Sequence, residues 1–106
     1  MEKLVRDKYP DIIKWKWEEC SYYIASVEDK INKLLEKISE EAEEVKNSNS
    51  NIELQSEIWD LLDVIDELCN IKWFSIEDIH KLRKLKTQKK WWFKKWVILT
   101  IDEKYL

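Results

Sequence analysis

Glycine is absent from this chain of 106 residues, whereas tryptophan, usually the rarest residue, occurs seven times. At the usual frequency of about 7%, the chain would contain about seven glycines. The two counts therefore look exchanged. One hypothesis is that the gene comes from a lineage in which UGA encodes glycine and was translated with a code in which UGA encodes tryptophan. The alternative is a protein that is genuinely rich in tryptophan.

Cysteine, histidine and long apolar runs are also scarce. The two cysteines, Cys20 and Cys69, form no CxxC or other metal-ligand spacing, which predicts reduced structural thiols. A lone histidine such as His80 is more often a surface residue than a ligand. The longest apolar run, residues 96–101, is interrupted by Thr100 and is far too short to span a bilayer. With no visible signal peptide, these features predict a cytoplasmic protein that does not act at a membrane.

Charge is distributed unevenly along the chain, although the net charge is only −3. Residues 28–67 hold thirteen acidic and four basic side chains, whereas residues 81–96 hold eight basic and no acidic ones. Such asymmetry suits a site that binds a metal ion at one end and phosphates at the other. The length predicts a single domain, residues 1–106, which is small enough that oligomerisation would help it.

Apolar residues recur at helical spacing in two long segments. The sequence Ser26-x-x-Asp29 resembles a capping box and predicts a helix over residues 27–46. Asn and Ser alone make up residues 47–51 and predict a turn, and a second helix should follow over residues 52–71. We therefore predict an all-α fold built on an antiparallel helical hairpin.

Shorter elements are expected on either side of this hairpin. A brief helix should run over residues 10–15, since proline suits a first helical position. A capping pattern at Ser75 predicts a third helix, to about Lys86, that completes a helical bundle. Residues 20–25 and 96–102 lean towards β structure, so we also consider a small terminal β-pair.

The strongest functional signal is a pair of acidic motifs, Glu40-Glu41-x-x-Glu44 and Glu57-x-x-Asp60. On helical wheels Glu41 lies roughly 70° from the centre of its apolar stripe and Glu57 roughly 80° from the centre of its own, in the same rotational sense. In an antiparallel pair these flanks meet, and the gathered carboxylates require a counter-charge, most simply a hard divalent cation. The alternative is a solvated acidic face, which is our interpretation of the other acids on these helices: Glu36, Glu43, Asp63, Asp66 and Glu67.

These motifs resemble the EExxE and ExxD signature of the all-α nucleoside triphosphate pyrophosphohydrolases, which include MazG-like enzymes and phosphoribosyl-ATP pyrophosphohydrolase. The two halves correspond to residues 37–45 and 57–65. The opening Lys3-Leu-Val-Arg-Asp-Lys-Tyr-Pro10 is similar to a small stand-alone subgroup of house-cleaning enzymes for non-canonical nucleotides, so the resemblance covers nearly the whole chain. The tryptophan-bearing segments fall where this family tends to have glycine-bearing turns: residues 14–17, 71–75 and 91–96.

The resemblance implies Mg²⁺-dependent hydrolysis of a non-canonical nucleoside triphosphate to a monophosphate and pyrophosphate, with Mn²⁺ as an alternative ion. The implied metal ligands are Glu41, Glu44, Glu57 and Asp60. Glu40 is the candidate general base, although its wheel position is about 100° from Glu41, and the alternative is that it faces solvent. Candidate contacts to the nucleotide substrate, each of which has a solvated surface charge as its alternative, are Lys37, Arg6, Lys8, Arg83, Lys90 and Lys94.

Other functions stay open. Phosphoribosyl-ATP hydrolysis would use the same acidic motifs, and the chain could instead be a catalytically silent helical module. The basic, aromatic stretch 81–95 also suits single-stranded nucleic acid, which binds through charge and stacking. Glycine in place of the tryptophans would remove the stacking and favour a basic loop over nucleotide phosphates, so nucleic acid is not the expected partner. The resemblance further implies a homodimer or a higher homo-oligomer.

Overall fold

The computed structural model describes residues 2–16 and 18–105 and is all-α within those ranges, as predicted. None of the helices in the described ranges is long and apolar enough to cross a membrane. The elements in chain order are α1 (Tyr9–Trp15), α2 (Val27–Lys46), α3 (Asn51–Ile71), α4 (Ile76–Lys90) and a 3₁₀ turn at Glu103–Tyr105.

The expected terminal β-pair is wrong. Residues 20–25 and 96–102 contain no strand in the described structure, and the two segments belong to different compact units of the chain, Met1–Ser75 and Ile76–Leu106. A β-leaning sequence forms a strand only where a neighbouring segment completes its hydrogen-bond ladder. Helix α4 ends at Lys90, later than predicted, because lysine and glutamine continue a helix readily.

Side-chain caps fix the beginnings of the two long helices. The hydroxyl oxygen of Ser26 accepts a hydrogen bond from the backbone N–H of Asp29 at 3.2 Å, and that of Ser50 accepts one from Glu53 N–H at 3.1 Å. Each cap satisfies one of the backbone donors that a helix leaves unpaired at its start. Only residues 47–50 connect the two helices, and so short a connection favours a hairpin.

Helices α2 and α3 pack against each other in opposite directions. Lys30, near the start of α2, contacts Glu67, near the end of α3, with 2.8 Å between Nζ and Oε1. Among the described residues of this unit, the buried apolar side chains are few: Leu34 from α2, which is fully buried, and Val64 and Cys69 from α3. The hairpin core is therefore small, and each buried group in it weighs heavily on stability.

Part of each apolar stripe is not covered within the hairpin. Leu35 on α2 is 50% exposed, while Ile58 and Leu62 on α3 are 41% and 53% exposed. Ala42, two turns beyond Leu35, is also exposed. Two packed helices contact each other along one line, so an apolar stripe wider than that line keeps one flank in solvent.

Candidate metal centre

Three glutamates from the two helices of the hairpin converge on one point. Glu41 and Glu44 lie about one turn apart on α2, and Glu57 reaches them from α3. One carboxylate oxygen of each lies within 4.8 Å of the other two. An i, i+3 pair occupies a single flank of a helix, and the antiparallel partner brings its own flank to the same side. The structure thus brings together three of the four predicted ligands.

This cluster, Glu41, Glu44 and Glu57, is partly buried. Glu41 is only 6% exposed, which is rare for an ionisable side chain. The Oε2 atoms of Glu41 and Glu57 are buried and have no hydrogen-bond partner. Leaving a buried polar group unsatisfied costs about 1–3 kcal/mol, and more if the group is charged. A cation coordinated by these oxygens would satisfy both of them.

Burial and like charge act on the acid groups of the cluster. Burial, followed by the charge of Glu44, raises the pKa of Glu41, although Lys37 opposes the rise. A hydrogen bond with Glu57, followed by burial, raises the pKa of Glu44. A cation would bind in competition with protons at such groups, so its affinity should increase with pH.

The fourth predicted ligand, Asp60, is paired with an arginine from the leading segment of the chain. Arg6 Nη2 donates to Asp60 Oδ1 at 3.0 Å and to Asp63 Oδ2 at 2.9 Å. These hydrogen bonds, with that to Asp63 the stronger influence, raise the pKa of Arg6. This pair tests neither the predicted role of Asp60 as a ligand nor that of Arg6 as a phosphate contact. Both roles stay predictions.

Lysines neutralise the α2 side of the site. Lys37 Nζ lies 3.4 Å from Glu41 Oε1 and 3.9 Å from Glu40 Oε1. Lys3 Nζ donates to Glu40 Oε1 at 3.1 Å, and this bond raises the pKa of Lys3. Glu40, the predicted general base, therefore lies between two ammonium groups beside the cluster. Lys37, a predicted substrate contact, touches the most buried of the three glutamates.

Of the other predicted substrate contacts, one belongs to the first unit and three belong to the second. Lys8 is exposed at the N-cap position of α1. Arg83 and Lys90 line a pocket of about 360 Å³ in the unit Ile76–Leu106, where Arg83 also contacts Nδ1 of His80 at 3.0 Å. Lys94 is exposed in the same unit. Their roles in substrate binding stay predictions.

Two sets of contacts in the first unit were not predicted from the sequence. Asp63 and Glu67, interpreted as part of a solvated face, form ion pairs with Arg6 and Lys30. Asp63 lies one helical turn beyond Asp60, and two acids at this spacing can both accept hydrogen bonds from a single guanidinium group. The contact of Lys3 with the hairpin gave no such signal, because its partner is 37 residues away in the chain.

The donor set limits what the cluster can bind. It consists of carboxylate oxygens alone, which suit hard divalent cations such as Mg²⁺ and Mn²⁺ rather than ions that prefer nitrogen or sulfur ligands. Comparisons with protein-family models, with curated proteins and with solved structures find no match for this chain. The chemistry of the site therefore rests on its own residues.

The substitution Glu41→Gln should stabilise the metal-free protein at neutral pH. It keeps the shape of the side chain and removes the buried charge that repels Glu44, and two unit charges about 5 Å apart near a protein surface interact by roughly 1–3 kcal/mol. We expect the free energy of unfolding to rise by on the order of 1 kcal/mol, because the loss of the Lys37 contact offsets part of the gain. Urea denaturation in EDTA, followed by circular dichroism, would measure it.

The pH dependence provides the control for this prediction. Because the pKa of Glu41 is raised in the folded state, the folded protein binds protons more tightly than the unfolded chain. Stability should therefore fall as pH rises from the ordinary carboxyl pKa through the raised one. Glu41→Gln should flatten this fall, whereas Glu43→Gln, at an exposed position on the same helix, should not. An equally steep fall in both variants would contradict the prediction.

Proposed function

We propose that this protein is a Mg²⁺-dependent nucleoside triphosphate pyrophosphohydrolase of the all-α superfamily that carries EExxE and ExxD motifs, with Mn²⁺ as an alternative ion. Its substrate is a non-canonical nucleoside triphosphate, and its products are a nucleoside monophosphate and pyrophosphate. The observation that carries the proposal is the convergence of Glu41, Glu44 and Glu57, where two buried carboxylate oxygens have no hydrogen-bond partner.

A purely structural role accounts poorly for this cluster. Acidic side chains that only stabilise a fold are solvated or paired, as Glu67 is with Lys30. The nearest ammonium group, on Lys37, contacts Oε1 of Glu41 and leaves Oε2 without a donor. Bringing like charges together in a small core opposes folding. A bound cation that offsets this cost is the explanation we favour.

The side chains of the cluster would hold the cation. The chemistry that Mg²⁺ supplies when bound is neutralisation of phosphate oxygens and activation of a water molecule for attack on phosphorus. Glu41 and Glu44 from α2 and Glu57 from α3 would provide ligands, and Asp60 would join them. Glu40 lies beside the cluster as a candidate acceptor for the proton of the attacking water.

Arg6 is our candidate for a contact to the triphosphate. It already binds two carboxylates of α3, and its guanidinium fits the paired oxygens of a phosphate in the same way. A phosphate that replaces Asp60 as its partner would bring negative charge next to the cluster and free Asp60 at the same time. Lys37 would neutralise charge on the α2 side, where it already contacts Glu41.

Pyrophosphate release tests the proposed activity. The substrates are standard, oxidised and deaminated nucleoside triphosphates together with phosphoribosyl-ATP, each with Mg²⁺ or with EDTA. We expect release from a non-canonical nucleotide only with Mg²⁺. Glu57→Gln should lower kcat roughly 100-fold or more, as for other groups that act on transition-state charge.

The matched control is Glu43→Gln, which removes an exposed carboxylate from α2 and should retain activity. Circular dichroism would show that both variants are folded. Release from phosphoribosyl-ATP alone would favour the biosynthetic alternative over the house-cleaning activity. No release from any substrate by the folded, Mg²⁺-loaded protein, or full activity in Glu57→Gln, would refute the proposal.

We further propose that two copies of the chain pair through the uncovered apolar flank of the hairpin. This flank consists of Leu35 and Ala42 on α2 and Ile58 and Leu62 on α3, at spacings that place each pair on one helical face. A second hairpin would cover it and form a four-helix bundle, the usual way for such amphipathic pairs to complete a core.

Leu62→Glu should convert the proposed dimer into a monomer, because it places a charge within the proposed paired surface. Size-exclusion chromatography with light scattering would measure the mass of each variant. The control is Ile52→Glu, which changes an 83% exposed apolar residue in the first turn of α3, where an acid suits the helix dipole. A monomeric parent protein, or a Leu62→Glu variant that stays dimeric, would contradict this pairing.

A further inference from the structure

Three residues in the described part of the chain have a left-handed backbone, and all three are tryptophans. The φ angles are 65° at Trp73, 65° at Trp91 and 52° at Trp96. In this region the Cβ atom clashes with the backbone, so glycine adopts it readily while bulky residues rarely do. This chain, which lacks glycine, therefore has tryptophan at each described position where the backbone favours glycine.

The end of α3 shows most clearly why glycine fits. The backbone N–H of Trp73 donates to the carbonyl of Asn70 at 3.3 Å, and Phe74 N–H donates to the carbonyl of Cys69 at 3.2 Å. These two bonds define a Schellman motif in which Trp73 is the residue just beyond the cap. Glycine is the usual residue at that position, because the motif needs a left-handed backbone there.

Helix α4 ends in a related way. Trp91 follows its last residue, Lys90, and the N–H of Trp91 donates to the carbonyl of Thr87 at 2.9 Å. This single bond, with a left-handed backbone at Trp91, is the αL motif that again favours glycine. At the end of α1 the N–H of Glu18 donates to the carbonyl of Ile13 at 3.2 Å. Trp17, which precedes Glu18, lies outside the described residues.

The tryptophan side chains are too exposed for their burial to offset this backbone strain. All six in the described ranges are between 54% and 95% exposed, although tryptophan is normally among the more buried residues. Trp91 and Trp92 have lysine and arginine for neighbours, with Lys95 Nζ 5.6 Å from the first ring centroid and the Arg83 guanidinium 5.8 Å from the second. None of the six contributes to the core.

We propose that the natural residue at all seven tryptophan positions is glycine, encoded by UGA codons that the source lineage decodes as glycine. The left-handed backbone at residues 73, 91 and 96 carries the proposal, and the missing glycines and the exposure of the other described tryptophans extend it to the remaining positions. It does not depend on the proposed hydrolase activity.

The proposal changes the surface of the unit Ile76–Leu106. Trp91, Trp92 and Phe93 form the aromatic part of its pocket, and glycine at two of these positions removes most of that wall. What stays is a flexible, basic segment in which Lys89, Lys90, Lys94 and Lys95 flank three glycines. Without the two indole rings only Phe93 is left for stacking of nucleic-acid bases, and the backbone amides become accessible to anions such as phosphate.

Single substitutions test whether the backbone favours glycine. Trp73→Gly and Trp91→Gly should each raise the thermal midpoint by roughly 4–8 °C, whereas Trp73→Ala, which retains Cβ, should give a smaller rise or none. Trp59→Gly is the matched control, because this residue is exposed within α3 and glycine there should lower the midpoint. A Trp73→Gly variant no more stable than Trp73→Ala would overturn the structural basis of the proposal.

The decisive experiment is mass spectrometry of the protein made by its own source cells. Cleavage after lysine yields the peptide of residues 91–94, which differs between the two readings by the mass of two tryptophan-to-glycine exchanges. We expect glycine at both positions and UGA at all seven codons of the gene. Tryptophan at positions 91 and 92 of the natural protein, or UGG at any of the seven codons, would overturn the proposal.

Discussion

Repulsion among the carboxylates of Glu41, Glu44 and Glu57, where α2 packs against α3, opposes the folding of the first unit. The apolar core of the hairpin is confined to a few side chains around Leu34 and Val64. Its burial therefore stabilises the fold only modestly against the cost of burying Glu41. A cation coordinated by these oxygens would offset the burial and like charge that oppose their ionisation in the metal-free protein. A cation that binds only the folded hairpin would stabilise the folded state.

The basic side chains divide the acidic surface into two parts. Lys3 and Arg6 from the leading segment pair with Glu40 and Asp60, and Lys37 from α2 contacts Oε1 of Glu41. The Oε2 atoms of Glu41 and Glu57 are left without such partners. The ion pairs stabilise the fold, whereas these two oxygens are suited to binding a ligand.

Local signals in the sequence predicted the parts of the structure that depend on neighbouring residues. The cap at Ser26 and the Asn/Ser turn after α2 give the bounds of the long helices, because helix ends are set by adjacent side chains and backbone donors. Helical wheels predicted the meeting of Glu41 with Glu57, because an antiparallel hairpin leaves few ways to pack two apolar stripes.

Other parts depend on contacts that no local pattern records. The pairing of Arg6 with Asp60 joins residues 54 positions apart, and the β propensity of residues 20–25 was overridden because no partner strand formed. The tryptophans at helix ends are a different case. At Trp73 the local backbone and the residue type disagree, and such a conflict is rare in natural sequences, which is why it directs attention to the genetic code.

The most direct test of the account is Mn²⁺ binding to the purified protein, measured at neutral pH from the electron paramagnetic resonance signal of the free ion. We predict saturable binding by the parent chain and by Glu43→Gln, and affinity at least about 10-fold lower in Glu57→Gln, since that variant lacks one of the converging ligands. Equal affinity in the parent chain and Glu57→Gln would contradict the claim that these glutamates form a metal site.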